Sequence, residues 1–419
     1  MKVSLTKSSA LRVSGIKPKI LPNNARFYSI NRGAIPALKL ELTFPAGRPF
    51  EKKQGVAAAT LLLLKGGTKS RSATKLAEGF DQWGSSINFD FYIDTVGIKL
   101  YTLEKYLPKA LALLIEQITE PSFPLPELKL YQRQQKEKLR SDETRGDVIA
   151  YRTFTEHLFG SYHPYGYNST IASIDALTQA DLRNHFQDCY QMSSCNIFLS
   201  GGFSDVSAEL VKNSLGSIIS AKYKFKKPKA VKLKQVHGEI HIQRSDAIQT
   251  SIRIGRTMFS RNHPDFVPMY VFNTILGGYY GSKLMQNLRE KKGLTYHIYS
   301  SMDTFMMDGY FLISTEVDKE RTHLAITAIY KEIEKLKTKL ISTAELASVK
   351  NYLMGNFLNY LENAFGYSEL VRMMSLEGGS ETYNQLVEGV EKISSKQILE
   401  VANKYFQEKD LSLVTVGQF

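Results

Sequence analysis

Hydrophobic residues recur along this chain in blocks whose period changes. Leu38 to Phe44, Thr95 to Leu100, Ser251 to Ile254 and Gly309 to Thr315 are β-rich stretches that read as strands. Ala110 to Ile118 and Ala325 to Ile333 instead place apolar residues at i, i+3 and i+4, so each is an amphipathic helix that follows a strand. The longest apolar run, Val56 to Leu64, is too short to span a bilayer.

The blocks also repeat. Leu177-Thr178-Gln179-Ala180-Asp181-Leu182 leads through a helix to Asn196 to Phe203, and Ile393-Ser394-Ser395-Lys396-Gln397-Ile398 leads in the same way to Leu411 to Phe419. Ile393 lies 216 residues after Leu177, and Gly417 lies 216 after Gly201. The helices at Ala110 and Ala325, and the helix starts at Glu127-Leu128 and Glu345-Leu346, match at nearly the same offset and in the same order. Chance similarity does not produce three ordered matches, so the chain is a duplication. The expected fold is α+β: two homologous domains, 1–217 and 237–419, each a mostly antiparallel sheet with helices on one face, joined by a linker at 218–236.

Composition supports two cores. The chain has 419 residues, 43% of them apolar and 11% aromatic, which is too long for one ordinary core and ample to bury two. The net charge of +13 is concentrated in Lys222 to Lys234, a lysine run around a proline that reads as a solvated linker. No zinc finger, base-reading basic helix or aromatic RNA-binding signature accompanies it, so nucleic acid is set aside and an acidic peptide or partner fits better. Met1 to Ile20 has no continuous apolar segment, so no secretory signal is visible, and no segment spans a membrane. Its basic, serine-containing opening has something of a mitochondrial transit peptide, but Ile20 to Phe44 already reads as two strands; a bacterial cytoplasm is the favoured compartment.

Metal and thiol chemistry find little support. No pair among His157, His163, His185, His237, His241, His263, His297 and His323 forms an H-E-x-x-H or H-x-x-E-H motif. Glu156-His157 lacks a first histidine at Thr153, His163 opens a turn, and His237 and His241 flank a glycine on a probable strand. Cys189 and Cys195 fit neither a zinc nor a redox pattern and read as two free thiols in a reducing compartment.

The most informative stretch is Leu276-Gly277-Gly278-Tyr279-Tyr280-Gly281-Ser282-Lys283-Leu284, followed by Leu288-Arg289-Glu290 and Gly293-Leu294-Thr295-Tyr296. It is not a phosphate loop, because Ser282-Lys283 reverses the required order. It resembles the C-terminal motif of the insulinase/pitrilysin zinc peptidases, in which an arginine and a tyrosine hold the substrate. The resemblance implies that role for Arg289 and Tyr296, whose donors would hydrogen-bond a peptide carbonyl and the oxyanion formed from it. Gly84-Ser85-Ser86-Ile87-Asn88 resembles the segment whose strand edge pairs with substrate, which makes Asn88 a possible substrate-strand contact.

The same resemblance exposes a gap. The family's H-x-x-E-H zinc helix falls on residues 55–68, where Ala58 and Leu62 replace the histidines and Leu61 replaces the general base. The third ligand survives at best as Glu137. A catalytic zinc needs three protein ligands and an open position, so no metal or other cofactor is expected on this chain, and no serine or cysteine has an activating frame to replace it. Two-chain members of the family divide labour, with the zinc helix on one chain. The resemblance therefore implies a zinc-free subunit that binds peptide, inactive alone, paired with a zinc-bearing insulinase-family partner in a heterodimer or higher assembly, as in processing peptidases. The alternative is a non-proteolytic structural or peptide-binding member.

Overall fold

The computed structural model describes residues 9, 11–13, 17–219, 228, 236–376 and 380–418. Most of the expected linker at 218–236, with its lysine run, lies outside the described residues. The chain order is β1 (Lys19–Ile20), β2 (Arg26–Asn31), β3 (Ala37–Phe44), α1 (Val56–Leu63), α2 (Ala73–Asp81), β4 (Ser86–Phe91), β5 (Val96–Leu103), α3 (Leu107–Thr119), α4 (Leu125–Asp142), α5 (Gly146–Phe159), α6 (Ile171–Asp175), α7 (Gln179–Cys189), β6 (Asn196–Gly201) and α8 (Asp205–Gly216). It continues with β7 (Gly238–Gln243), β8 (Gln249–Met258), α9 (Phe266–Asn273), β9 (Ile298–Thr304), β10 (Gly309–Asp318), α10 (Thr322–Thr338), α11 (Thr343–Leu361), α12 (Ala364–Leu376), α13 (Ser380–Lys392), α14 (Ser395–Tyr405) and β11 (Ser412–Gly417).

The duplication is written into the sheets. The first runs β1-β2-β6-β3-β5-β4 and the second β7-β11-β8-β10-β9, so the second repeats the first from β2 onward. Each holds one parallel pair, β2 with β6 and β7 with β11, and is otherwise antiparallel. The repeated sequence blocks before α7 and α14 have a physical cause: Thr178 with Asp181, and Ser394 with Gln397, each form a capping box that satisfies two otherwise orphaned N–H groups.

One face of each sheet is covered by helices of its own half. The other face is covered by a helix from the opposite half. Helix α5 lies on β8 and β11, and α12 lies on β6 and β2. Ala150, Phe154 and Leu158 of α5 pack with Tyr310, Leu312, Val414 and Val416. Tyr367, Leu370 and Val371 of α12 join Tyr28, Ile30 and Phe198 in the core of the second half. Gly255 on β8 makes room for this crossing, since a Cβ there would lie 1.9 Å from the Phe311 carbonyl oxygen and 2.8 Å from the Phe154 ring. The chain start follows the same rule: Leu11 and Val13 are buried in the second half's core, and Val13 exchanges 3.0 and 3.1 Å hydrogen bonds with Asn384 of α13.

Beneath α12 lies a buried charge cluster. Leu38, Leu40, Leu42 and Phe44 turn to the first half's own core, which sends Lys39 and Glu41 to the opposite face. Lys39 and Glu41 are 1% and 0% exposed. Lys39 Nζ reaches Glu41 at 3.2 Å and Glu369 of α12 at 3.0 Å; Lys99 Nζ reaches Glu369 at 3.0 Å and Asp90 at 2.9 Å. Arg372 closes the cluster, with Nε 3.0 Å from Glu369 and 3.4 Å from Glu41. Burial alone would raise the Glu369 carboxyl, but Lys39, Arg372 and Lys99 outweigh it and hold the group down to about 2. Burial wins at Glu41, which is pushed upward despite Lys39.

Two outcomes follow from this packing. The halves expressed separately are expected to be insoluble or unfolded, and co-expression is expected to recover a folded complex, because each isolated sheet loses an apolar cover; circular dichroism and size-exclusion chromatography read both states. Glu369→Gln is expected to cost about 3 kcal/mol near neutral pH by leaving lysines under-compensated. Its folded pKa is depressed, so the wild-type advantage is full above about pH 4.3 and fades as pH falls toward 2. Thermal melts of both proteins across that window check the sign, and a gap that stays constant down to pH 2.5 contradicts it.

Candidate functional site

Helix α1 covers most of the stretch for which the resemblance implies a zinc helix, and its residues are apolar but for Thr60. Gly55 caps it at φ +85, a left-handed conformation that glycine adopts without strain. The Glu51 carboxylate accepts from the N–H groups of Gly55 at 3.2 Å and Ala57 at 2.9 Å, and from the Tyr167 hydroxyl at 2.6 Å. Burial nevertheless pushes the Glu51 carboxyl upward. Leu61 is fully buried in the core of the first half, while Ala58 and Leu62 are half-buried on the same helix. None of the three side chains has a lone pair, so these positions do not fit zinc.

Glu137 does not supply the remnant of a ligand set. Its side chain is 64% exposed and pairs with Arg140 one turn on. The α4 residues that line a 420 Å³ cavity together with Gly55 are Tyr131, Gln135, Lys138, Leu139 and Asp142, and Glu137 is not among them. Among the described residues no three His, Cys, Asp or Glu side chains are grouped as a metal would require. This cavity lies where the halves meet, since Phe305 and Tyr310 of the second half also line it. Two arginines stand in its wall: Arg48 stacks at 4.4 Å on the Tyr167 ring, and Arg152 donates to the Ser169 carbonyl at 2.7 Å. Sequence reasoning singled out neither, because each is recognisable only through neighbours distant in the chain.

His163, His241 and the two cysteines are engaged within the fold. His163 is 3% exposed, stacked on Phe159, with Nδ1 accepting from the Tyr165 N–H at 3.2 Å. His241 bonds Thr415 Oγ1 at 2.7 Å across the parallel pair. Cys189 and Cys195 are both buried and free, and burial pushes the Cys189 thiol up to about 12, which suppresses its reactivity.

The C-terminal motif is built from unusual helix. Thr274–Gly278 and Met285–Lys291 are π-helical, a form often found at functional sites. Arg289 lies in the second segment, which ends where Gly293, at φ +58, donates to the Arg289 carbonyl at 3.1 Å. The Arg289 side chain is 40% exposed, with Nε 3.5 Å from Glu290 and the guanidinium 5.6 Å from the Tyr280 ring. Tyr280 in turn donates to Glu290 at 2.7 Å. Tyr296 is 87% exposed. It stands on the wall of a 260 Å³ cavity with Arg253, His297 and Tyr299, a lining that does not include Arg289. Arg289 and Tyr296 thus both present donors to solvent, and no hydrogen bond joins them among the described residues.

Asn88 is exposed on β4, opposite Lys99 of β5. Strand β4 ends its sheet, with its outer edge unpaired among the described residues, the arrangement that an added peptide strand uses.

The family described as "Peptidase M16 inactive domain" matches residues 176–353, a span that contains both Arg289 and Tyr296. An "uncharacterized zinc protease YmxG" of Bacillus subtilis is 24% identical over 84% of this chain and 85% of its own length. A "probable inactive metalloprotease YmfF" of the same organism is 23% identical over 87% of this chain and 90% of its own. A solved peptidase M16 inactive domain from Pseudomonas fluorescens superimposes with a TM-score of 0.84 at 22% identity, covering 96% of this chain and 98% of that one. Over residues 176–353 the chain is thus similar to the peptidase M16 inactive domain, and it carries Ala58, Leu61 and Leu62 where the insulinase resemblance implies zinc-helix residues.

Proposed function

We propose that this chain is the zinc-free subunit of a bacterial insulinase-type assembly, inactive alone, which helps to bind peptide and stabilise the transition state in the active site of a zinc-bearing partner. The observation that carries this reading is an asymmetry: all three zinc-helix positions are apolar, yet Arg289 and Tyr296 keep exposed donors in a motif that departs from the family's pattern at Lys283, where that pattern has arginine. In this role the guanidinium and the phenol bond the substrate carbonyl and the oxyanion that forms as water attacks. They polarise the carbonyl but offer no base to activate water, a task that a bound metal performs by lowering the pKa of its water to about 7. The partner supplies that metal. The open edge of β4 at Asn88 would align peptide by strand addition, and the two free thiols suit a cytoplasm.

A second reading, a non-proteolytic peptide-binding or structural protein, is favoured by one observation: Arg289 faces Glu290 and Tyr280 and does not line the cavity at Tyr296. The two readings differ in magnitude. Loss of an oxyanion donor costs about 2.7–4 kcal/mol, a fall of roughly 10²–10³ in rate, whereas an exposed ion pair contributes about 0–1 kcal/mol.

The purified chain is expected to hold no stoichiometric zinc and to cleave no peptide, as elemental analysis and a peptidase assay with and without chelator would register. One tightly held zinc per chain with chelator-sensitive cleavage contradicts the proposal. In the reconstituted pair, Arg289→Ala and Tyr296→Phe are each expected to lower kcat by roughly 10²–10³ while the complex still elutes as one species. Unchanged turnover in both variants selects the scaffold reading.

A further inference from the structure

The duplication places Glu41 and Arg253 at equivalent points, since Glu41 lies opposite Phe198 and Arg253 opposite Val414, 216 residues later. Their surroundings differ. Glu41 sits among Lys39, Lys99 and Arg372. Arg253 is 6% exposed and donates to main-chain carbonyls: Nη1 to Ile252 at 3.0 Å and Thr315 at 3.4 Å, and Nη2 to Asp147 at 3.1 Å. No carboxylate forms an ion pair with it among the described residues. The nearby acids are engaged or distant: Asp147 is held by Arg145 at 3.2 and 2.7 Å, and Glu316 accepts from Ser251 at 3.5 Å. Burial accordingly lowers the Arg253 guanidinium's hold on its proton, despite the pull of Tyr299, Glu316 and Asp147.

A buried charge without an opposite partner is costly, and this one lines a cavity. The space is 260 Å³, open toward Tyr296 and flanked by Tyr299 and Thr295. That is room for one amino-acid residue, with Arg253 as the fixed cation and phenols as supporting donors. We infer that this cavity is a carboxylate-binding pocket, in which Arg253 takes the carboxylate of a peptide while Glu316 and Asp147 face the adjoining amide N–H. The carboxylate comes from a free C-terminus or from an aspartate or glutamate side chain; the chemistry at Arg253 is the same. The pocket belongs to this chain alone and does not require a zinc-bearing partner.

The test is fluorescence anisotropy of the full chain with a labelled alanine-leucine pentapeptide in three forms: free C-terminus, amidated, and amidated with an internal glutamate. The free or the glutamate form is expected to bind at least tenfold more tightly than the plain amide, and whichever does identifies the source. Arg253→Met is expected to abolish that discrimination, and Arg253→Lys to retain part of it. Equal binding of all three forms, no binding at all, or full discrimination in Arg253→Met overturns the proposal. Should both variants misfold, a photoreactive version of the tighter peptide on the wild-type chain decides: cross-links to Asp147, Gln249, Arg253 or residues 295–299 and 314–316 support the pocket, and cross-links elsewhere refute it. Because no partner is present, the result is independent of turnover in the two-chain assay.

Discussion

The reciprocal crossing of α5 and α12 is the constraint on which the rest of the molecule depends. A sheet with two apolar or mixed faces needs two covers, and here each half supplies only one for itself. The missing covers are exchanged, apolar at α5 and partly ionic at α12. The ionic cover is the more demanding of the two. Lys39 and Glu41 are held almost wholly away from water, which is tolerable only while Glu369 and Arg372 stand above them. The halves are therefore locked by charge geometry on one side and by the Gly255–Phe154 approach on the other.

This lock also sets where binding can occur. The 420 Å³ cavity with Arg48 and Arg152 opens where loops of both halves meet, and the 260 Å³ cavity with Arg253 lies beside Asp147, in the first turn of the exchanged helix. Both are by-products of a helix crossing a sheet it does not belong to by sequence. The zinc-helix frame sits at the edge of the first cavity, with its first turn satisfied by Glu51. What remains there is a well-capped helix with an apolar stripe.

Much of the fold was legible in the sequence, and the reasons are local. Thr178 and Ser394 announce helix starts because capping is decided within four residues, and the repeat spacing survives because both halves solve the same sheet. The exchange was not legible. Glu41 reads as the polar face of a half-buried strand, and nothing near it in sequence shows that Glu369 and Arg372 will cover it. The same limit applies to the site. Ala58, Leu61 and Leu62 declare by their chemistry that they cannot hold zinc, whereas Glu137 passed as a remnant ligand because helical phase cannot be fixed from a single carboxylate. Arg253 was missed because a lone arginine in a strand carries no signal until its burial and its main-chain partners are seen.

The position of β11 carries a further meaning. Among the described residues it is the last strand in chain order, yet it lies inside its sheet, between β7 and β8, and forms part of the floor on which α5 rests. Until Ser412–Gly417 is made, α5 has an incomplete seat and the second sheet lacks the strand that joins β7 to β8. The first half, although synthesised long before, must wait with an apolar helix unplaced. Until that strand is in place, the apolar face of α5 formed by Ala150, Phe154 and Leu158 lacks part of its partner surface.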